Sequence, residues 1–544
     1  MQALGKSVEL STVSAVSHTG AVATAFPDAT QAAVEILRAG GNAIDAAVTA
    51  AWALSVCEPS ASGIGGQTVL LIRLADGEIR VIDGHSYGPA AASCGTISKE
   101  QQRVGYRSCT IPSTPATLQY AHEKYGILSR HRVMAPAIRL AETGYRLTRL
   151  QHRQMRQAAG RSEAPGRLHP LLSKSVVPEP GALFQQPQLA RTLRRLADVG
   201  IEDFYTGEIG RRIARDMAEQ GGLITEQDLA DFALPAETEP LSATYRGYTV
   251  VSVPPPGGGL VLLQALKILE QLTPARGELS DSAWYEAIAA TVFSVFRARE
   301  VQPIGPEHFD SAQRHWLLSD LRAEWIAAGI ASGGGIAREK PGFREEPGDT
   351  THLSVADRWG NVVALTQSIQ SVFGAKVAHH ELGFFYNNYL RTCPRRSAHP
   401  SALGPRCRPR SNAAPTLVLR PDLPASPVTL VLGAAGSRRI ISALLQVISL
   451  VLDRGLDIVA AVAAPRLHAL VSRAAWIEQP AASATLLARL EPRFSPVLIK
   501  PRHHYALAAV QALQFTRTGD VLGAAVPSRR GSAARRDSRA SCRR

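Results

Sequence analysis

Near the middle of the chain stands the run Asp349-Thr350-Thr351-His352-Leu353-Ser354-Val355-Ala356-Asp357, which is followed after two residues by Gly360-Asn361. The pattern predicts a strand from Thr351 to Ala356 and a second strand from Asn361 to Gln367, joined by a turn as a β-hairpin. Threonine in a strand is ordinarily a packing choice. The chemical meaning of the Thr-Thr pair at the head of this hairpin therefore depends on the rest of the chain.

The elements on either side of the hairpin predict a layered fold. Ala21 to Ala25 has the pattern of a strand, and Asn42 is placed to cap a helix of small apolar residues. The glycines from Gly63 to Gly66 precede a strand, whereas a dinucleotide-binding loop leads into a helix. We therefore interpret them as a place of tight backbone approach. Strands and helical stretches at both ends of the chain favour an α/β or α+β sandwich.

Composition excludes several classes of protein. The 544 residues are 45% hydrophobic and 19% charged, which is typical of a globular chain. The apolar run from Ile440 to Leu452 is shorter than the roughly 20 residues that cross a membrane, so it predicts a buried helix. No apolar secretory signal precedes His18, and we expect a cytoplasmic protein.

No metal site and no cofactor are expected from the motifs. The chain has no His-Glu-x-x-His pair, no Gly-x-Ser-x-Gly elbow and no phosphate-binding loop of the Gly-x-x-x-x-Gly-Lys type. Its six cysteines are scattered and form no Cys-x-x-Cys pair, so we interpret them as reduced thiols. We interpret His379-His380-Glu381 as surface residues, because adjacent side chains rarely converge on one ion.

Most of the net charge of +14 lies in two segments. Residues 529–544 hold seven arginines and one aspartate, and residues 391–410 hold six arginines and no acid. The first segment has the composition of a disordered, solvated tail. The alternative is association with nucleic acid, which would show as salt-sensitive binding that is lost when residues 529–544 are deleted. No nucleic-acid-binding motif accompanies the tail, so this alternative is not favoured.

The hairpin run closely resembles the signature of the gamma-glutamyltranspeptidase family, Thr-Thr-His-x-Ser-Val-x-Asp-x-x-Gly-Asn. Further motifs of that family occur in order between about residue 20 and about residue 530. These motifs are Gly40 to Ala47, Pro59 to Gly66, Pro254 to Gly259, Phe373-Gly374, Asn387-Asn388, Arg408-Pro409, Ala414 to Thr416 and Gly433 to Ile440.

The resemblance implies an α+β fold, the four-layer αββα sandwich of the N-terminal-nucleophile hydrolases. It also implies a precursor that cuts itself between Asp349 and Thr350 into two subunits that stay associated. The expected parts are a lead (1–20), a large-subunit part (21–349), a small-subunit part (350–528) and a disordered basic tail (529–544).

The family's catalytic roles can be placed on this sequence by position. Thr350 would be the nucleophile, and its own α-amino group, freed by the cut, would be the general base. An α-amine titrates near ~8 in model peptides, which suits a base at neutral pH. Ser368 stands where the family has a second threonine that hydrogen-bonds the nucleophile. Gly436 and Ser437 align with the glycine pair whose backbone N–H groups stabilise the oxyanion.

The pocket for the donor's amino acid head departs from the family pattern. His85 replaces the arginine that holds the α-carboxylate, and an imidazole cannot reproduce a bidentate guanidinium contact. Ser411-Asn412 replaces a serine pair and stays a plausible contact for a carboxylate or carbonyl. The groups that hold the α-ammonium, an asparagine, a glutamine and an aspartate, become the residues Gln370, Tyr389 and Thr392 in a gapless alignment.

These departures leave the acyl group open. The arginine and the aspartate that would hold a zwitterionic head are both missing, so we expect a small acidic amide without the amino group. Arg391, Arg408 or Arg410 could supply a replacement contact for an anion, or could lie in a solvated loop.

Three hypotheses follow. The first is a self-processing amidase or acyltransferase that cleaves a gamma-glutamyl-type donor such as glutathione, or a related small acidic amide, and passes the acyl group to water or an amine. The second is an oxamate-like small-amide amidohydrolase of the same family. The third is an uncleaved scaffold without catalysis. The expected partners are the amide substrate and possible amine acceptor; no membrane contact is expected.

Overall fold

The computed structural model describes residues 20–159, 177–232, 235–273, 279–332, 348–422 and 427–526, and the backbone of residues 13–17 and 532–535. The helices of these residues are α1 (Pro27–Arg38), α2 (Ala43–Cys57), α3 (Thr114–Tyr125), α4 (Arg130–Thr143), α5 (Arg149–Ala159), α6 (Pro187–Val199), α7 (Glu208–Glu219), α8 (Glu226–Ala230), α9 (Gly259–Leu272), α10 (Asp281–Val301), α11 (Ser311–Leu317), α12 (Asp320–Ala331), α13 (Arg439–Leu452), α14 (Ile458–Ala463) and α15 (Ala484–Leu490). The strands are β1 (Val13–Ser17), β2 (Ala21–Thr24), β3 (Gln67–Arg73), β4 (Ile79–Gly84), β5 (Tyr145–Arg146), β6 (Leu183–Phe184), β7 (Ala236–Thr238), β8 (Leu241–Tyr245), β9 (Tyr248–Ser252), β10 (Gly348–Ala356), β11 (Val362–Ser371), β12 (Ala378–His379), β13 (Phe384–Phe385), β14 (Thr416–Leu419), β15 (Val428–Ala435), β16 (Leu467–Ala469), β17 (Ala475–Glu478), β18 (Val497–Lys500), β19 (Ala509–Phe515), β20 (Val521–Ala525) and β21 (Ser532–Arg535).

In the described part of the chain, two seven-stranded sheets form the centre of the fold. One has the order β1-β20-β19-β15-β14-β9-β8, and the other has the order β21-β2-β10-β11-β3-β4-β7. A hydrophobic cluster drawn from both sheets fills the space between them, with Leu71 and Val81 on one side and Leu417 and Val431 on the other. The two central layers are therefore packed sheets.

Helices cover the outer face of each sheet. One large cluster joins α1, α2, α4 and α6 to the sheet that holds β10, and a second joins α9, α10 and α13 to the sheet that holds β15. The order of layers is thus helix, sheet, sheet, helix. This confirms the predicted four-layer αββα sandwich.

Both sheets mix strands from the two sides of Asp349. Strands β2, β3, β4 and β7 share a sheet with β10, β11 and β21, and strands β1, β8 and β9 share the other with β14, β15, β19 and β20. The two predicted subunits are therefore interleaved, and neither can complete a sheet alone. The boundaries of the four predicted parts stay predictions.

Two terminal strands lie in segments for which the sequence indicated no structure. Val13–Ser17 pairs with β20, and Ser532–Arg535 pairs with β2 inside the predicted disordered tail. Both strands occupy edges, where backbone N–H and C=O groups of the neighbouring strand are free to pair. The other tail residues, 529–531 and 536–544, lie outside the described residues.

The predicted hairpin is present as β10 and β11, and its turn is held by Asp357. The carboxylate of Asp357 accepts hydrogen bonds from the backbone N–H groups of Trp359 and Asn361 and from the side-chain amide of Asn361, at 2.7–3.0 Å. It also accepts one from the N–H of Ala43, in the first turn of α2, at 2.9 Å. A carboxylate suits a helix N-terminus because the unpaired N–H groups there carry partial positive charge. One side chain thus ties the hairpin to the helical layer.

A histidine of the signature lies between the sheets. His352 is fully buried; its Nδ1 lies 2.8 Å from Thr366 Oγ1 and its Nε2 lies 3.1 Å from Ser354 Oγ. Burial lowers the pKa of His352 to about 3, so the ring is neutral at pH 7. A Cβ at Gly433 of β15 would lie 2.2 Å from this ring. The glycine is therefore needed for the two sheets to approach.

No helix in the described ranges is long and apolar enough to cross a membrane. The predicted buried helix around Ile440 to Leu452 is present as α13, whose middle is buried throughout.

We expect Asp357→Ala to destabilise the folded protein by about 2–4 kcal/mol, because it leaves buried N–H groups at two elements without an acceptor. The measurement is the free energy of unfolding in urea. Asp76→Ala is the matched control, since Asp76 accepts one N–H in an exposed hairpin turn; we expect a loss below about 1 kcal/mol there. Equal losses in the two variants would contradict the role of Asp357.

Candidate active site

The nucleophile position lies in an irregularity of the central hairpin. Asp349 pairs with Gln370 and Thr351 pairs with Gln367, so two residues of β11 lie opposite Thr350 alone. Such a bulge bends the strand and re-aims a side chain. Gln370 accordingly has a positive φ of 81°, which is uncommon for a residue with a side chain. The bulge brings Ser368 beside Thr350.

Two hydroxyl groups converge on the carbonyl oxygen of Asp349. Thr350 Oγ1 lies 2.7 Å from this oxygen and 3.3 Å from Ser368 Oγ. Ser368 Oγ also donates to it at 2.7 Å, while accepting the N–H of Gln370 at 2.8 Å. Hydrogen bonds to a carbonyl oxygen make its carbon more electrophilic and stabilise negative charge that develops on the oxygen. The peptide bond predicted to be cut is therefore the one that the site polarises.

The side chain of Asp349 is held from the other side. This residue is fully buried, and its Oδ1 accepts the N–H of Thr350 at 3.0 Å. Its Oδ2 accepts from Gln154 Nε2 at 3.2 Å, and Gln154 Oε1 accepts from Ser60 Oγ at 3.0 Å. The amide nitrogen that would become the α-amine of Thr350 thus already faces a carboxylate.

One cavity opens on Thr350 and collects most of the residues that the sequence indicated. Ser368, Tyr389 and Ser437 line it together with Arg410. The complete lining is Gln67, Val69, Thr350, Thr366, Ser368, Gln370, Tyr389, Thr392, Arg410, Ser411, Asn412, Ala413, Ser437 and Ile440. Gly436 and His85 do not line the cavity.

Tyr389 is one of the substrate contacts that the sequence predicted, and it lines this cavity. It is 4% exposed, and its phenol interacts with the side chains of Ser368, Gln67 and Ser411. Burial raises the pKa of Tyr389, and these three partners only partly offset that effect. The phenol is therefore neutral and can donate a hydrogen bond into the cavity. The hydroxyl of Thr392 donates to the backbone oxygen of Tyr389 at 3.0 Å.

His85 belongs to a separate buried group. Its Nδ1 lies 2.6 Å from Asp83 Oδ1, and Arg408 donates to Asp83 Oδ2 at 2.7 Å while it lies over the ring of Tyr87. Burial raises the pKa of Asp83, but the charges and hydrogen bonds of His85 and Arg408 outweigh it and hold the pKa well below its usual range. His85, which the sequence predicted as a substrate contact, does not line this cavity, and its Nδ1 is held by Asp83.

Of the three arginines considered as replacements, Arg410 alone lines the cavity in the described part of the chain. Arg408 is engaged by Asp83, and Arg391 lies outside the lining. Arg410 is 3.4 Å from Glu300 Oε1, which Arg438 contacts at 2.7 Å. Burial lowers the pKa of Arg410. This guanidinium is thus a cation at the wall of the nucleophile's cavity, and it shares its carboxylate with a second arginine.

The Gly436-Ser437 pair forms a tight turn between β15 and α13. Both residues have positive φ, 137° and 58°, and Ser437 adopts a conformation that is uncommon outside glycine. A Cβ at Gly348 would lie 2.9 Å from Ser437 Cβ. The turn therefore packs directly against the start of β10, which places Ser437 at the nucleophile.

Among the described residues, no group of three or more metal-ligating side chains is present. His379, which the sequence indicated as a surface residue, is instead buried at 5% exposure and its Nδ1 accepts the N–H of Leu382. Its ring lies beside that of Phe384, with the two centroids 6.1 Å apart.

Sequence reasoning missed two residues of the site. Gln67 lines the cavity, and its Oε1 accepts from the N–H and hydroxyl of Ser86 at 3.0 and 2.8 Å. Gln154 holds Asp349 from α5, nearly two hundred residues away in the chain. The position of Gln67 directly after Gly65-Gly66 was an available signal, whereas nothing local distinguishes Gln154 from other glutamines.

Comparison with known proteins gives a consistent result. The sequence model of the family described as Gamma-glutamyltranspeptidase matches residues 29–535. A "Glutathione hydrolase proenzyme" of Pseudomonas sp. (strain A14) is 32% identical over 83% of this chain and 82% of its own length. An "Acylase ACY 1 proenzyme" of Pseudomonas sp. (strain SE83) is 31% identical over 93% of this chain and 91% of its own length. The crystal structure of a cephalosporin acylase from Bacillus halodurans superimposes with a TM-score of 0.86 at 27% identity, covering 98% of each chain.

We expect Ser368→Ala to slow cutting of the Asp349–Thr350 bond by about 10²-fold, because it removes one of the hydroxyl donors to the carbonyl oxygen. The time course of precursor disappearance on a denaturing gel measures the rate. Ser368→Thr keeps the hydroxyl and should cut at a rate close to that of the unmodified protein. Equal rates for the alanine and threonine variants would rule out the proposed donor.

Proposed function

Because the chain belongs to the gamma-glutamyltranspeptidase family of enzymes, we propose that it is a self-processing amidase or acyltransferase whose nucleophile is Thr350. The observation that carries this proposal is the convergence of the Thr350 and Ser368 hydroxyls on the Asp349 carbonyl oxygen. The names of the relatives as proenzymes support a cut precursor.

The first reaction is the cut itself. Thr350 Oγ1 attacks the carbonyl carbon of Asp349, and the Ser368 hydroxyl stabilises the oxyanion that forms. The C–N bond then breaks, the hydroxyl proton passes to the nitrogen, and Asp349 is left esterified to Thr350. Water hydrolyses this ester, which yields the Asp349 carboxylate and a Thr350 with a free α-amine. Both products stay in place, because each sheet contains strands from both parts.

The second reaction is acyl transfer from a substrate. The neutral α-amine of Thr350 takes the proton of its own hydroxyl as Oγ1 attacks the substrate's amide carbon. The same proton is then donated to the leaving amine when the C–N bond breaks, and the acyl group remains on Oγ1. The backbone N–H groups at Gly436 and Ser437 are the proposed oxyanion donors. Water or an acceptor amine then takes the acyl group.

The cavity favours an anionic acyl group. Of its described lining residues, none is acidic and Arg410 is cationic. The described lining residues offer a donor's α-ammonium no carboxylate partner, and Arg410 is a like charge among them. Tyr389, Ser411 and Asn412 supply neutral polar groups beside Arg410. We therefore propose a dicarboxylic acid monoamide that lacks the α-amino group, a class that includes oxamate-like amides, in preference to a gamma-glutamyl donor such as glutathione.

We expect glutaryl-p-nitroanilide to be cleaved with a kcat/KM at least about tenfold above that of gamma-glutamyl-p-nitroanilide, because the second donor adds an uncompensated ammonium. Release of p-nitroaniline measures both. Thr350→Ala should release none, and Arg410→Gln should raise KM for the glutaryl donor more than it lowers kcat.

Arg406→Gln is the matched control for Arg410, since Arg406 is exposed and pairs with Asp231. We expect wild-type kinetics from it. A preference for the gamma-glutamyl donor, together with no effect of Arg410→Gln, would contradict the proposed acyl group. Activity in Thr350→Ala would contradict the proposed nucleophile.

A further inference from the structure

A second cavity lies behind Arg410, next to the nucleophile's cavity and separate from it. It is formed by the loop at Pro255-Pro256, helix α9, the carboxyl-terminal end of α10 and helix α12. Arg410 lines both cavities, whereas Thr350 and Ser368 do not line this one. The proposed acyl-transfer chemistry therefore gives it no role.

Its most distinctive group is Arg322 of α12. Arg322 lines the cavity and is 8% exposed. Its guanidinium makes no ion pair and no hydrogen bond with any residue that the structure describes. Burial alone lowers its pKa. A guanidinium that lines a cavity and has no partner among the described residues can bind an anion there.

The same cavity holds further uncompensated positive charge. Arg299 also lines it and donates to Asn412 Oδ1 at 2.6 Å and to the Ser411 carbonyl at 2.9 Å, both of which are neutral. Burial and the neighbouring Arg410 and Arg438 lower the pKa of Arg299 to about 9. The carboxylate of Glu300 forms ion pairs with both Arg410 and Arg438. The wall thus carries more cations than the described acids around it can neutralise.

The rest of the lining is largely apolar. Leu260, Val261, Ile304 and Leu317 face the cavity beside the two prolines. A small, fully hydrated anion such as phosphate would leave this surface without a partner, whereas an anion with an apolar body would cover it. The positive charge and the apolar surface together favour one class of ligand, an anion that carries an apolar group.

We propose that this second cavity is a binding site for a carboxylate with a short apolar body, held by Arg322, whose guanidinium has no partner in the described ranges, together with Arg299. The guanidinium fork matches a carboxylate in a bidentate geometry. The aliphatic chain lies against Leu260, Val261 and Leu317. The site is distinct from the one that binds the acyl donor, and it needs no cut at Asp349.

Isothermal titration calorimetry of the purified protein with hexanoate tests the site, because hexanoate is not an amide and is not turned over. We expect binding by the unmodified protein and by Thr350→Ala alike. Arg322→Met replaces the aliphatic stem of the side chain with one of similar size and removes the guanidinium, and we expect it to weaken hexanoate binding at least about tenfold, as loss of a charge-assisted hydrogen bond does. 1-Hexanol and inorganic phosphate should each bind at least about tenfold more weakly than hexanoate.

Arg314→Gln is the matched control, because Arg314 lies on the neighbouring helix α11, is partly exposed and contacts the exposed Glu239. We expect unchanged hexanoate binding. Binding of hexanoate that Arg322→Met does not weaken would overturn the proposal, as would equal binding of phosphate or 1-hexanol. Hexanoate binding does not depend on Thr350. A failure of the proposed acyl transfer can therefore be distinguished from a failure of the proposed carboxylate site.

A melting experiment separates a binding role from a structural one. Without ligand, Arg322→Met should melt no lower than the unmodified protein, because the guanidinium has no partner among the described residues that the substitution would remove. Hexanoate should raise the melting temperature of the unmodified protein and leave that of the variant unchanged. A variant that melts lower without ligand would show that Arg322 stabilises the fold and would overturn the proposal. Arg322→Lys, which keeps the charge, should retain a hexanoate-dependent rise.

Discussion

The whole site depends on one arrangement, the meeting of two hydroxyl groups at the carbonyl oxygen of Asp349. Thr350 and Ser368 reach this oxygen from adjacent strands, each at 2.7 Å. Regular pairing of β10 with β11 would send side chains at these positions to fixed places on the pleat. The extra residue in β11 changes that register locally. A small irregularity in the sheet therefore creates the geometry on which the proposed chemistry relies.

The surrounding layers keep this irregularity in place. The hairpin lies at the centre of a seven-stranded sheet, among the described strands, and its partners on both sides come from the amino-terminal half of the chain. Asp357 anchors the far end of the hairpin to helix α2. The Gly436-Ser437 turn, from the other sheet, packs against Gly348 at the near end. Contacts from three layers therefore hold the Asp349–Thr350 peptide bond in its position.

Much of this could be predicted from the sequence, because local signals and global fold agree. The cap at Asn42, the hairpin turn at Asp357 and the apolar run of α13 each form the element that their residues favour. The position of Thr350 and its neighbours in one cavity followed from the family resemblance. The bulge in β11 could not be predicted in this way, because register is set by the pairing of two strands and cannot be derived from the pattern of one strand alone.

Other features were beyond sequence reasoning because they arise from distant contacts. The family resemblance predicted His85 as a substrate contact, but in the structure its Nδ1 binds the carboxylate of Asp83, two residues before it. Among three candidate arginines, only tertiary packing selects Arg410 for the cavity. The grouping of Arg299 with Arg322 joins two helices, and no motif marks either residue. For each of these residues, the side chains that it contacts in the folded protein determine what it can bind.

The most direct test of the proposed cut is the amino-terminal sequence and intact mass of the purified protein, beside Thr350→Ala and Thr350→Ser. We expect two fragments from the unmodified protein, the smaller beginning at Thr350. We expect one uncut chain from the alanine variant and slower but correct cutting from the serine variant, which keeps a hydroxyl. An uncut wild-type chain, or cutting of the alanine variant at the same bond, would contradict the claim that the Thr350 hydroxyl frees its own α-amine.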